Sequence, residues 1–220
     1  GGFASLVKYI NQSPCKVVSI DVPSGLMCED NTFNIRANII RANMTLTLQQ
    51  KKLAMMLPDN QLYIGKLKVL DIMLSHEYIE KTDSKYYITE EKDIRGMLRP
   101  RYDFAHKGNM GTALIVAGSY GMAGAAILAT KACLRSGIGK VCVRTPMLNY
   151  QIMQISVPEA VLVMDNDEKV FSESTDANDY EAVAIGPGLG QAENTAVAMM
   201  AQLKRTQCPI VADADALNIL

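Results

Sequence analysis

The stretch GTALIVAGSYGMAGAAILATKACLRSGIGKVCVRT, residues 111–145, decides the fold of the second half of the chain. It opens with an apolar run, Ala113–Ala117, that predicts a buried strand. A glycine-rich loop, Gly118–Gly124, leads into the Ala- and Leu-rich segment Ala123–Ser136, which predicts a helix. A second apolar run, Lys140–Arg144, predicts the next strand. Strand, glycine loop, helix and strand in this order predict a right-handed βαβ unit and a parallel sheet.

Other short apolar runs extend this pattern along the chain. They predict strands at Lys16–Ile20, Met44–Leu48, Leu67–Leu74, Ala182–Ile185 and Pro209–Ala212. A further helix is expected at Gln191–Arg205, where a basic last turn complements the helix dipole. The fold class is therefore α/β. The charged, tyrosine-containing stretch Ser75–Asp103 has no long apolar run, and we interpret it as a linker with a short entry segment into a second domain.

Composition excludes several classes of protein. Of 220 residues, 49% are hydrophobic and 20% charged, which excludes a disordered chain. The 22 basic and 23 acidic side chains argue against electrostatic binding of nucleic acid. No apolar stretch reaches the roughly 18 residues that a membrane helix needs, so we expect no membrane partner and a cytoplasmic location. Five cysteines without a C-x-x-C pair predict reduced, mostly buried thiols.

Three loops are candidates for ligand binding in the second half. Gly118–Gly124, Gly186–Gly190 and Asp213–Asp215 each follow a predicted strand. In an open parallel sheet, ligands bind beyond the carboxyl ends of the strands. Glycine allows close backbone approach, and a helix start can hold a phosphate. The loops together predict a small-molecule site with phosphate in it. Alternatively, the glycines are tight packing turns, and Asp213 and Asp215 cap a helix.

The first half has one comparable element, the segment Asp21-Val-Pro-Ser-Gly25. It directly follows the predicted strand Lys16–Ile20. Asp21 at a strand end can direct a carboxylate into a cleft, and the Ser24 hydroxyl can bind a hard cation or cap a turn. The alternative is a turn in which Asp21 bonds to its own backbone.

These segments resemble known families. Residues 17–25, 35–52 and 65–72 resemble the NAD(P)H-hydrate epimerase domain, with Lys52 where that family usually has lysine. From His106 onward, the chain resembles the ADP-dependent NAD(P)H-hydrate dehydratase domain, a ribokinase-like fold. The matching pieces, in order, are residues 106–111, 115–119, 121–126, 135–139, 158–159, 185–190 and 213–217.

The resemblance implies a domain organisation. Residues 1–78 are expected to be the C-terminal part of a Rossmann-like, three-layer epimerase domain. Residues 79–104 form the linker and entry segment. Residues 105–220 are expected to be the N-terminal part of the ribokinase-like dehydratase domain.

The resemblance also implies a function, the repair of hydrated NADH and NADPH. The epimerase interconverts the R and S hydrates, and the dehydratase removes water from the S hydrate with ADP as phosphoryl donor. The implied cofactors are ADP, potassium and magnesium. Asp21 matches a hydrate-contacting aspartate, and Ser24 matches a potassium ligand. Ala125 and Gly188 match positions lining the hydrate site of the dehydratase, while His106 and Lys107 match a motif without an assigned role.

The chain also departs from the family pattern. The epimerase's upstream asparagine- and glycine-rich loop is missing. So is the later glycine-threonine-glycine-aspartate loop expected to hold the catalytic carboxylate, which would therefore lie beyond Leu220. The chain begins at Gly1 rather than Met, and we interpret it as a fragment that is inactive alone. A homo-oligomer is expected. The alternatives are a ribokinase-like kinase of a vitamin precursor, and a nucleotide-binding module without chemistry.

Overall fold

The computed structural model describes residues 1–98 and 100–220, which form two compact units. The first unit spans Gly1–Leu98, and the second comprises the described residues after it, up to Leu220. This division falls inside the predicted linker at 79–104. Arg99, within that linker, lies outside the described residues.

A parallel sheet of three strands organises the first unit. The strands are β1 (Val18–Ile20), β2 (Met44–Leu48) and β3 (Lys66–Leu70), in the order β1-β2-β3. All three lie within or beside predicted strands, although β3 ends at Leu70 rather than Leu74. The unit also contains helices α1 (Gly2–Gln12) and α2 (Gln61–Ile64). Its small core combines Leu26, Ile39, Ala54, Met55, Tyr63 and Ile64.

Two short helices lie in the segment that sequence reasoning treated as a linker. They are α3 (His76–Lys81) and α4 (Glu91–Met97). The hydroxyl of Ser75 accepts a hydrogen bond from the Tyr78 N–H and so caps α3. A reciprocal capping box between Glu90 and Asp93 begins α4. These helices begin through local side-chain caps rather than apolar burial, which explains why a search for apolar runs missed them.

A five-stranded parallel sheet organises the second unit. Its strands are β4 (Thr112–Val116), β5 (Lys140–Thr145), β6 (Val161–Met164), β7 (Ala182–Ile185) and β8 (Ile210–Ala212). Their order is β6-β5-β4-β7-β8. Helices α5 (Ala123–Arg135), α6 (Tyr150–Ser156), α7 (Glu193–Arg205) and α8 (Asp215–Ile219) connect or follow them. The predicted βαβ unit is confirmed, whereas β6 and α6 were not predicted, and a helix at α8 was expected only in the alternative in which Asp213 and Asp215 cap one.

The central strand β4 is buried on both faces. Leu114 and Val116 pack into one cluster with Met199 of α7, and Ile115 and Ala117 pack into the other cluster beneath α5 and α6. This alternation explains why the strand is a continuous apolar run, because side chains on both faces of a covered parallel sheet lie in a core. The sheet and its two helix layers hold the loops at the strand ends in fixed positions.

The cysteines differ partly from the prediction. All five are free thiols, as expected. However, Cys15 and Cys28 are exposed and only Cys142 is buried, so the expectation of mostly buried thiols is wrong. None of the helices in the described part of the chain is long and apolar enough to cross a membrane.

Candidate functional site

The three loops singled out from the sequence lie together at one edge of the second unit's sheet. They follow β4, β7 and β8, which are neighbours in the parallel sheet, so their carboxyl ends share an edge. The Gly118 N–H donates to the Pro187 carbonyl at 2.8 Å, and the Asp213 N–H donates to the Ile185 carbonyl at 3.1 Å. The prediction that these loops adjoin is confirmed. We call this edge, residues 118–125, 186–190 and 213–215, the carboxyl rim.

Gly188 and Ala125, the two predicted hydrate-lining residues, are in direct contact. A Cβ added at Gly188 would lie 2.8 Å from the Ala125 Cβ and 3.1 Å from the Met122 carbonyl oxygen. Gly188 also has φ +67°, a left-handed conformation that favours glycine. Ala125 lies in the first turn of α5, where the helix dipole favours an anion, and its own N–H donates to the Met122 carbonyl at 3.2 Å. The rim therefore combines a close backbone approach with a helix start whose dipole favours negative charge.

Asp215 stabilises the rim in a way that the sequence did not reveal. Its Oδ2 accepts a hydrogen bond from the Gly190 N–H at 2.8 Å, and its Oδ1 accepts from the Gln191 side chain at 3.4 Å. The alternative in which the acidic pair caps a helix is wrong, because α8 begins after Ala214 without a side-chain cap. The Asp213 side chain is exposed. Asp215 thus connects the second loop to the third.

A buried ion pair supports the strand ends beside the rim. Arg144, near the end of β5, contacts Asp165 at 3.2 Å, with side chains 7% and 0% exposed. Arg144 also contacts the half-exposed Glu173 at 3.3 Å. Asp165 in turn accepts hydrogen bonds from the backbone and hydroxyl groups of Ser172. Sequence reasoning missed this cluster, because Arg144 lies about 20 to 30 residues before its two acidic partners and the members belong to no motif.

In the first unit, Asp21 forms an ion pair with Lys52 immediately beyond the sheet. Its Oδ1 accepts hydrogen bonds from the Lys52 ammonium, from the Leu48 N–H at 3.1 Å and from the Thr47 hydroxyl at 3.4 Å. The hydrogen bond from Lys52, followed by that from the Leu48 N–H, lowers the pKa of Asp21 below its usual range. The backbone at Asp21 is left-handed, with φ 65°.

The fit of Asp21 and Ser24 to potassium is incomplete. Ser24 is exposed, and its carbonyl already accepts the Ile40 N–H at 3.0 Å, while its hydroxyl forms no hydrogen bond among the described residues. The Lys52 ammonium already neutralises Asp21, and a second cation beside it would be repelled. Among the described residues, no group of three or more His, Cys, Asp or Glu side chains forms a metal site. These residues alone therefore do not complete a cation site.

His106 and Lys107 lie away from the carboxyl rim. They belong to the loop that precedes β4, at the amino ends of the strands. His106 begins a short 3-10 helix at Lys107–Asn109, and its Nδ1 accepts a hydrogen bond from the Gly108 N–H at 3.1 Å. The motif is therefore separate from the loops that contain Ala125 and Gly188.

Comparison with known families assigns each unit a class. Residues 113–220 match the family model of NAD(P)H-hydrate dehydratase, and residues 1–54 match that of the YjeF-related protein N-terminus. The parallel sheet and its glycine-rich rim thus belong to a dehydratase-type α/β unit, which follows a YjeF-type unit.

Similar curated proteins contain both regions. The chain is 35% identical over 215 residues to a bifunctional NAD(P)H-hydrate repair enzyme of Vibrio cholerae, covering 98% of this chain and 42% of that protein. It is 31% identical to the corresponding enzyme of Escherichia coli, covering 99% of this chain and 41% of that protein. The chain is similar over nearly its whole length to these bifunctional NAD(P)H-hydrate repair enzymes, and it spans about two fifths of their length.

Solved structures support the fold of the second unit. An ADP/ATP-dependent NAD(P)H-hydrate dehydratase of Bacillus subtilis, co-crystallised with ATP and Mg²⁺, is 36% identical with a TM-score of 0.51. The match covers 58% of this chain and 46% of that one. A ribokinase-like superfamily protein of Enterococcus faecalis, 24% identical with a TM-score of 0.51, covers 62% of this chain and 50% of its own. The ribokinase-like α/β fold expected from the sequence is thereby confirmed.

Proposed function

We propose that the protein carrying this chain repairs hydrated NADH and NADPH, epimerising the R and S hydrates and dehydrating the S hydrate with ADP. The observation that carries the proposal is the contact between Gly188 and Ala125 at the carboxyl rim. Two positions far apart in sequence, each matching a hydrate-lining position, adjoin at the edge where parallel sheets bind ligands. The family assignment supports the same substrate class.

Dehydration needs the hydrate's hydroxyl to become a better leaving group. In the proposed reaction, the hydroxyl oxygen attacks the β-phosphorus of ADP, AMP leaves, and a carboxylate takes the hydroxyl proton. The C–O bond of the phosphorylated hydrate then breaks, inorganic phosphate departs with the bonding electrons, and loss of a ring proton restores the double bond. The role of the described rim is to position the hydrate against the start of α5.

The Asp213–Asp215 loop does not provide the base in this proposal. Asp215 already accepts hydrogen bonds from Gly190 and Gln191, so it orders the loop. Asp213 is exposed, and no side-chain hydrogen bond orients it among the described residues. We therefore infer that the catalytic carboxylate comes from chain beyond Leu220, and that the 220 residues alone bind the hydrate without turnover.

In the epimerase unit, we propose that Asp21 contacts the hydrate. The lowered pKa keeps its carboxyl ionised near neutral pH, so it accepts hydrogen bonds from the hydrate rather than donating them. Lys52 fixes the carboxylate through Oδ1, and Oδ2 remains available for a ligand hydroxyl or amide. Potassium, for which Ser24 would supply one oxygen, and magnesium with ADP in the dehydratase stay predictions, as do the homo-oligomer and the cytoplasmic location.

A product assay tests the proposal. The protein carrying this chain and the 220-residue chain are each incubated with an R/S mixture of hydrated NADH and ADP, and products are followed by mass spectrometry. The proposal predicts NADH, AMP and phosphate from the former, and bound but unconverted hydrate from the latter. Phosphorylation of a vitamin precursor instead would support the kinase alternative, and nucleotide binding without any product would support a non-catalytic module. Turnover by the 220-residue chain would refute its proposed inactivity.

A further inference from the structure

A cavity in the dehydratase-type unit lies beside the His106-Lys107 motif. Its volume is ≈ 220 Å³. It lies where the loop before β4 meets the turn before β5, at the amino ends of these strands. The carboxyl rim lies at their other ends. The lining residues are Arg101, Ala105, His106, Lys107, Met110, Ile138 and Gly139.

The cavity is basic. Three of its lining residues, Arg101, His106 and Lys107, carry basic side chains, and none of the seven is acidic. Among the residues that the structure describes, neither Arg101 nor Lys107 forms a salt bridge. Their charges are therefore not neutralised within the unit, and an anion entering the cavity would meet positive charge without a competing carboxylate.

Backbone contacts hold these groups in place. The Arg101 guanidinium donates through Nη2 to the Gly137 carbonyl at 2.8 Å, which leaves its other N–H groups as donors. Because the His106 Nδ1 accepts from the Gly108 N–H, its hydrogen lies on Nε2, which can donate to a ligand. A Cβ at Gly139 would lie 1.7 Å from the Lys107 carbonyl oxygen, so the backbone at Gly139 packs directly against the backbone at Lys107.

We propose that this cavity binds a phosphate or diphosphate group of a phosphorylated metabolite, at a site separate from the carboxyl rim. Arginine provides paired N–H donors to phosphate oxygens, and lysine adds a mobile point charge. The His106 Nε2–H supplies a third donor from the same loop. The site does not depend on the proposed repair activity, because it uses neither Ala125 nor Gly188.

The test uses the 220-residue chain with inorganic phosphate, inorganic pyrophosphate and ADP as separate probes. Binding is measured by titration calorimetry, and the site is located by amide chemical shifts. We expect pyrophosphate to shift amides at 105–110 and 138–140. Equal binding of pyrophosphate and ADP through these amides indicates recognition of the diphosphate alone, and tighter ADP binding there indicates a nucleoside-borne group. Absence of shifts at these amides with all three probes would overturn the proposal.

Variants distinguish binding in the cavity from general electrostatic attraction of an anion to the basic side chains of the chain. Lys107→Gln and Arg101→Gln should each weaken pyrophosphate binding by about tenfold, since each removes a charged donor. Lys68→Gln removes the same charge from an exposed position in the first unit and should leave binding unchanged. Lys107→Arg should retain most of the affinity. Equal weakening of pyrophosphate binding by Lys68→Gln, or unchanged binding in Lys107→Gln, would contradict the proposal. Because Lys107 is exposed, Lys107→Gln should keep the fold, and thermal unfolding checks this.

Discussion

Gly188 and Ala125 are so close that no side chain fits between them: a Cβ on Gly188 would lie 2.8 Å from the Ala125 Cβ. The residues belong to different loops, one after β7 and one at the start of α5. Their contact fixes the distance between two of the three rim loops. The glycine is therefore required by packing as well as by its left-handed backbone.

Gly188→Ala should destabilise the second unit more than Gly190→Ala. Both glycines have positive φ, +67° and +76°, so both variants incur backbone strain of about 1 kcal/mol. At Gly190 the nearest atom is the Met122 Cε at 3.9 Å, so only Gly188→Ala adds a clash. We expect this clash to cost a further 1–3 kcal/mol, roughly, in the free energy of unfolding measured with urea.

A double-mutant cycle tests whether the clash is with Ala125. Ala125→Gly removes the Cβ that the new side chain would meet, so it should recover part of the loss caused by Gly188→Ala. Ala125→Gly should not recover any of the stability lost in Gly190→Ala. Strictly additive effects of Ala125→Gly and Gly188→Ala would contradict the contact.

Asp215→Ala should free the loop at 186–190. The Asp215 carboxylate accepts the Gly190 N–H at 2.8 Å, and a hydrogen bond to a charged group contributes about 1.5–3 kcal/mol. Exchange of the Gly190 amide hydrogen should therefore accelerate by about tenfold or more. Asp213→Ala is the matched control and should leave that rate unchanged. Similar rates in both variants would show that Asp215 does not order the loop.

Lys52→Met should raise the pKa of Asp21 toward its usual range, because the hydrogen bond from Lys52 is the largest cause of the lowered value. A carboxyl whose folded pKa is lowered stabilises the fold above its unfolded pKa, and this contribution is lost as the pH falls through the folded pKa. The free energy of unfolding of the chain should therefore fall below about pH 4. In Lys52→Met the free energy of unfolding should fall less over the same pH range. Carboxyl ¹³C titration measures the pKa directly.

Lys51→Met is the control for this change. Lys51 is exposed and adjacent in sequence, and it forms no ion pair among the described residues. It should leave the Asp21 titration unchanged. An Asp21 pKa that is the same in Lys52→Met and in the parent chain would contradict the ion pair.

Asp165→Asn should destabilise the second unit by about 3–5 kcal/mol, because it leaves the buried Arg144 guanidinium without its buried partner. Glu173→Gln removes the other acidic partner of Arg144, whose side chain is 51% exposed. It should lower the free energy of unfolding by about 1 kcal/mol or less. Urea unfolding followed by circular dichroism measures both. Equal losses would mean that burial does not distinguish the two pairs.

Local sequence patterns predicted the sheet and the position of the rim. Apolar runs marked the strands, and glycines such as Gly188 marked turns that need positive φ. The side-chain contacts were not predictable, because Asp21 and Lys52 are 31 residues apart and Gly190 and Asp215 are 25 apart. Such contacts depend on how the loops fold back over the strand ends. The helices α3 and α4 were missed because local capping, rather than an apolar pattern, begins them.

Amide chemical shifts of the 220-residue chain, titrated with the S hydrate of NADH, test the central claim most directly. If the carboxyl rim holds the hydrate, the amides of Ala125 and Gly188 shift in a saturable manner, and Gly188→Ala abolishes the shifts while Gly190→Ala preserves them. Saturable binding that leaves both amides unshifted, or no binding at all, would contradict the account.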